Sequence, residues 1–158
     1  MKLIKNVLEI LSVMFDTYRI FILILLILLA IRLLSQNKSQ MTNQPTHNIN
    51  AKIATSPQEL REGLMFVKYL PPDEGMLFVY PKIAKHSFWM KNTLIPLDVI
   101  YMDGNYNVIG FVLNNQPHDL TSKGIDKPSK YFLEVNGGYV ERKNINIGDK
   151  MIIRASTK

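Results

Sequence analysis

The residues best equipped for chemistry lie in one short run, Phe88-Trp89-Met90-Lys91-Asn92-Thr93. In an extended strand Phe88 and Met90 point one way and Trp89 and Lys91 the other, so one face can enter a core while the other carries an aromatic plane beside a cation. Such a pair could stack a sugar ring or hold an acidic group. The competing reading has Trp89 filling the end of the domain with the Lys91 stem running past it. Asn92 opens a turn through Pro96, where polar side chains ordinarily bond the local backbone. Asp98 begins an otherwise apolar strand, Asp98-Val99-Ile100-Tyr101-Met102. A carboxylate buried there must find partners, and it could cap the preceding turn or pair with Lys91. The binding candidates are therefore Trp89, Lys91 and Asn92, with Asp98 and Gln116 as polar supports. A catalytic alternative makes Asp98 and Glu134 the two carboxylates of a glycan hydrolase, one acid and one base or nucleophile.

Other chemistries find less support. The chain has no cysteine, which removes disulfides, thiolate metal sites and a cysteine nucleophile. His47, His86 and His118 fit no zinc spacing; His47 reads as solvated, and only His86 and His118 could converge with Asp98 or Asp119. No metal site or cofactor is assigned. Gly137-Gly138 lacks the frame of a phosphate loop, so nucleotide binding is not expected. The serines lack a recognisable nucleophile turn. The formal charge of +6 divides evenly, with five Lys/Arg against two acids before residue 51 and fourteen against eleven after it. A nucleic-acid binder concentrates basic residues on one stripe; here they are scattered singly apart from Arg142-Lys143.

These residues need a scaffold, and 158 residues suffice for one domain. From residue 49 the pattern alternates like a first strand. Ser56-Pro57-Gln58-Glu59 then supplies an N-cap, a proline at the first helical position and a capping-box acid, predicting a helix to about Met65 with Leu60 and Leu64 facing the core. Short β-like runs follow at 75–80, 87–90, 98–102, 107–113, 130–135 and 150–154, with Asp103-Gly104-Asn105 as a hairpin turn and a second short helix at 139–144. The expected fold is α+β, mostly β: a compact, largely antiparallel barrel-like domain with one or two short helices over residues 51–154, and a tail at 155–158.

The first fifty residues differ in kind. Residues 20–31 are twelve consecutive apolar residues, and extension to 18–34 gives about 25 Å of helix, a workable span with Arg19 and Arg32 snorkelling to opposite headgroup layers. A cleaved secretory signal is the competing reading, but no small-x-small cleavage site follows the run. Residues 1–19 alternate polar and apolar at helical spacing and read as an amphipathic juxtamembrane helix, a possible contact for a membrane-protein partner. Residues 35–50 are rich in Ser, Gln, Asn and Thr and read as a flexible polar tether. Three basic residues precede the span and two follow it, weakly favouring export of the domain to the periplasmic or extracellular side of the cytoplasmic membrane.

Three stretches carry a resemblance to a known family: Glu62-Gly63-Leu64-Met65-Phe66, Leu70-Pro71-Pro72-Asp73-Glu74-Gly75-Met76-Leu77-Phe78, and Phe88 through Asp98 with its Phe-Trp-Met-Lys-Asn-Thr string. Together they resemble the bacterial and archaeal domain-of-unknown-function family number 192. Asn115-Gln116-Pro117, Tyr131-Phe132-Leu133-Glu134 and Ile147-Gly148-Asp149-Lys150 extend the likeness to nearly all of residues 51–154. The resemblance implies a small, β-rich barrel, often behind an export signal or anchor, and implies no activity. Members often have a cysteine soon after Gln-Pro; here His118 follows Pro117, so a thiol-dependent role is excluded. These readings together favour a non-enzymatic binding or accessory domain at the cell envelope, with an envelope glycan or a membrane protein as its partner.

Overall fold

The computed structural model of the chain describes residues 2–42 and 44–156. It divides into two compact units, Met1–Asn43 and Gln44–Lys158. The first is one helix, α1 (Lys2–Thr42). Neither glycine nor proline occurs before Pro45, so nothing in the backbone interrupts the helix earlier. Within it Thr17–Gln36 is long and apolar enough to cross a membrane. Its 20 residues rise about 30 Å, the thickness of a hydrocarbon core. The amphipathic face expected on residues 1–19 falls largely on side chains outside the described residues.

The segment 35–50, expected as a flexible tether, is a correction. It is helical through Thr42, and from Thr46 it belongs to the first strand of the domain, β1 (Thr46–Ala54). Its polar residues are compatible with a strand because Thr46, Asn48 and Asn50 face outward while Ile49 and Ala51 are buried.

The remaining elements are α2 (Pro57–Glu62), β2 (Glu74–Ala84), β3 (Ser87–Phe88), β4 (Leu97–Met102), β5 (Val108–Asn115), β6 (Lys123–Gly124), β7 (Ser129–Asn136), α3 (Tyr139–Arg142) and β8 (Lys150–Ala155). Six strands form one sheet in the order β5-β4-β7-β2-β1-β8, and β3 pairs with β6 in a small second sheet. β1 runs parallel to both its neighbours; the other pairings are antiparallel. Parallel neighbours need a crossover, and residues 55–73, containing α2, provide it. The sheet curls until its edges touch. Asn107 of the β4–β5 turn bridges Lys150, Val108 N–H donates to Asp149 O at 2.8 Å, and Met151 N–H donates to Tyr106 O at 3.0 Å. The result is a mostly-strand α+β half-barrel with few helices.

Both faces of this sheet are covered, which is why every residue of β4 is buried. One face draws on all six strands and α3, with Ile49, Leu77, Ile100, Val108, Leu133, Tyr139 and Met151 at its centre. The other joins Met76, Phe78, Val99, Tyr101 and Phe132 to Leu64, Phe88 and Met90 from the covering segments.

The start of α2 follows its sequence signal. Glu59 N–H donates to Ser56 Oγ at 3.2 Å and Ser56 N–H to Glu59 Oε2 at 3.0 Å, the reciprocal box expected. Its end does not: the helix stops at Glu62 rather than Met65, because Gly63 turns to φ +52°, ψ −130°. Leu64 still reaches the core from beyond the helix, and Leu60 packs beside it. The second helix likewise ends at Arg142 rather than Asn144.

Candidate ligand pocket beneath Trp89

The strand expected at 87–90 is shorter, ending at Phe88, but exposure still alternates along 88–91. Phe88 and Met90 are buried, whereas Trp89 keeps 46 % of its surface and carries the Lys91 ammonium 5.2 Å from its ring centroid. Trp89 is thus a rim residue and does not fill the core. The turn that follows is stitched to two other loops by backbone bonds: Phe66 N–H donates to Asn92 O at 2.8 Å, His118 N–H to Thr93 O at 3.3 Å, and Met90 N–H to Asp119 O at 2.8 Å. Phe66, Asn92 and His118 adopt positive φ in these loops, a conformation costly for most side chains other than glycine. The Trp89 segment is therefore held in place by its neighbours.

Beneath Trp89 lies a partly enclosed cavity of about 120 Å³, walled by Phe78, Tyr80, Phe88 and Phe132, edged by residues 60–65 of α2 and its exit, and reached by Ser87, Thr93 and Glu134. Glu134 forms its floor. The side chain projects from the middle of β7 between Met76 of β2 and Val99 of β4, its register partners on either side. Burial, only partly offset by the nearby Leu64 backbone, pushes the carboxyl up to about 8. Its Oε2 has no partner. Gly63 lies close against that buried oxygen: a Cβ there would stand 2.9 Å from Phe78 Cζ and 3.3 Å from Oε2. Tyr80 in the same wall is pushed up to about 12, first by burial and then by the nearby Glu134 charge.

Asp98, the expected partner of Glu134, belongs to the opposite face. It pairs in register with Val135 whereas Glu134 pairs with Val99, and neighbouring residues of a strand point to opposite sides. Its carboxylate accepts Asn114 N–H at 2.9 Å and Val140 N–H at 3.1 Å, fastening the end of β5 and the start of α3 to β4. A two-carboxylate hydrolase site built from Asp98 and Glu134 is thus contradicted, because the sheet stands between them. Asp98 neither caps the preceding turn nor pairs with Lys91.

The other candidates scatter. Asn92 contributes its backbone carbonyl to the loop cluster, and Gln116 donates its amide to Asn114 O at 3.0 Å on the surface; neither lines the cavity. His86 stacks on Tyr80 with centroids 3.6 Å apart, and His118 is exposed. His47, expected to be solvated, is a further correction: its Nε2 lies 2.8 Å from Asp149 Oδ2, where β1 meets β8. Among the described residues no three metal-ligating groups converge. Tyr80, Gly63 and the exit of α2 were not singled out by their sequence. The one available signal was Glu134 itself, an acid inside the apolar run Tyr131-Phe132-Leu133-Glu134-Val135.

Fold and site together define a small half-barrel domain with an acid-floored aromatic pocket, preceded in the chain by an apolar helix. Residues 38–153 match the family DUF192, described as "Uncharacterized ACR", and the chain belongs to that family. A protein of unknown function from Novosphingobium aromaticivorans is similar in structure, with 37 % identity over 63 % of this chain and 71 % of its own and a TM-score of 0.61. A protein from Sinorhizobium meliloti, provisionally described as a transcription regulator, is similar at 32 % identity over 63 % of this chain and 78 % of its own, with a TM-score of 0.62. Comparison with curated proteins finds no match.

Proposed function

We propose that this chain is a membrane-anchored binding protein, non-enzymatic, whose domain presents Trp89 and the cavity beneath it to an envelope glycan outside the cytoplasmic membrane. The observation that carries the reading is the half-exposed indole of Trp89 at the edge of a small cavity walled by aromatic rings. An indole plane at the rim offers the flat apolar face on which a pyranose stacks. The apolar stretch of α1 supplies the anchor, and the excess of basic residues before it supports the outward orientation.

Trp89 is the chain's one tryptophan, so its emission reports directly on this site. The full chain, in a polyoxyethylene detergent that carries no sugar headgroup, is titrated with fragments of envelope glycans. Saturable quenching or a blue shift supports the reading. Emission unmoved by every glycan fragment removes it.

A further inference from the structure

Resting on that glycan reading, we infer that the sugar recognised at Trp89 is an acidic one, its carboxylate held by the Lys91 ammonium with Arg61 as a second cation on the rim of the same cavity. The charges of the site point this way. Lys91 is exposed with its ammonium 5.2 Å from the centre of the indole, and Arg61, also exposed, lines the cavity together with Trp89. Neither forms an ion pair with an acid among the described residues, whereas Lys85, Lys123, Arg142 and Lys143 each face a carboxylate. Asp119, which a backbone bond brings beside Met90, is already taken: its Oδ2 lies 2.8 Å from Lys123 Nζ.

The acids of the cavity do not cancel these cations. Glu62 accepts the Gln58 amide at 3.0 Å, and Glu134, buried and raised to about 8, is uncharged at neutral pH. An anion at the mouth therefore meets two cations and one opposing carboxylate. A neutral sugar would use the indole and leave both cations in water.

Lys91 is also free to make the contact. For an exposed ammonium an indole face is a weak partner, so a carboxylate displaces it at little cost. Backbone bonds at Met90 and Asn92 hold the chain on both sides of Lys91, and the freedom that remains is that of its four-carbon stem. That stem lets the charge swing from the indole to an acid borne on a ring stacked there.

The test uses the full chain in the same detergent, with Trp89 emission as the readout and two ligands on one backbone: an α-1,4-linked galacturonic acid trimer and its methyl ester, which lacks the charge. At pH 7 and about 20 mM salt the acid is expected to bind at least about fivefold more tightly than the ester, and the ratio should shrink to about twofold near 300 mM as salt screens an exposed pair. K91Q should bring the acid to within about twofold of the ester, K91R should keep the preference, and R61Q should reduce it. Both positions are exposed, so none of these variants is expected to disturb the fold. Equal affinity for acid and ester, or an acid preference that K91Q leaves intact, overturns the inference while the glycan reading stands. Tighter binding of the ester does the same. If neither trimer moves the emission, the acidic sugar is overturned, and the glycan reading falls with it only where neutral envelope fragments are silent as well.

Discussion

Replacing Glu134 with Gln should stabilise the domain at pH 8 and leave it nearly unchanged at pH 4.5. Gln preserves the shape and removes the titration. In the native chain burial raises the carboxyl from an ordinary 4.5 to about 8. Below about pH 4.5 both folded and unfolded chains hold the proton, so the full stability is present. Between there and about 8 the unfolded chain releases it and the folded chain does not, so stability falls by about 1.4 kcal/mol per pH unit. Over the whole interval this accumulates to about 5 kcal/mol, an upper bound that water entering the cavity mouth reduces to roughly 2–5 kcal/mol. Above about 8 both states are ionised and the loss levels off. The assay is urea denaturation of residues 44–158, which form their own compact unit, for both proteins at half-unit steps from pH 4.5 to 9. The difference in unfolding free energy between E134Q and the native domain should open steadily and then plateau. If the two curves stay parallel from pH 5 to 8, Glu134 is solvated and the pocket floor has been misread.

Four further outcomes follow from the same geometry. D98A orphans the Asn114 and Val140 N–H groups and should cost about 2–5 kcal/mol in urea denaturation, with a smaller loss for D98N, which retains one acceptor. G63A forces a Cβ into φ +52° against Phe78 and should destabilise the domain by roughly 2–4 kcal/mol, read by the same denaturation. H47A removes the contact to Asp149 and should cost about 1–3 kcal/mol, with amide exchange accelerating first along β1 and β8. W89A should change stability by about 1 kcal/mol or less, since the ring is half exposed, while abolishing glycan binding measured by calorimetry.

Much of the fold was legible because its strands carry strong local signals. The capping box at Ser56 and Glu59, the Asp103-Gly104-Asn105 turn and the apolar run of β4 each have one reasonable structure. The places that misled are those where a distant partner overrides a local pattern. Residues 46–50 look like tether because Thr46, Asn48 and Asn50 are polar, yet pairing with β2 and β8 on both sides makes them a strand. His47 looks solvated until β8 brings Asp149 beside it. β6 is two residues long and exists only through its pairing with β3, so no periodicity announces it. Trp89 and Glu134 were both visible as unusual residues, but their meeting depends on the curl of the sheet and the glycine at the exit of α2. Nothing in the spacing of 45 positions along the chain conveys that.

Asp98 and Glu134 offer an internal comparison that bears on function. Both are acids buried in adjacent strands of one sheet, one register step apart, with 1 % and 7 % of their surface exposed. Such groups persist where hydrogen bonds compensate the loss of water. Asp98 is compensated: each oxygen receives a backbone N–H, and its role ends with fixing three elements together. Glu134 is not compensated in this way: its Oε2 is buried without a partner, with Gly63 packed close beside it. A purely structural acid in that position could be replaced by Met or Leu with a gain in packing. A buried, incompletely satisfied acid lining an aromatic cavity, with a half-exposed indole at its edge, is the one feature of the two that the packing of the sheet does not account for.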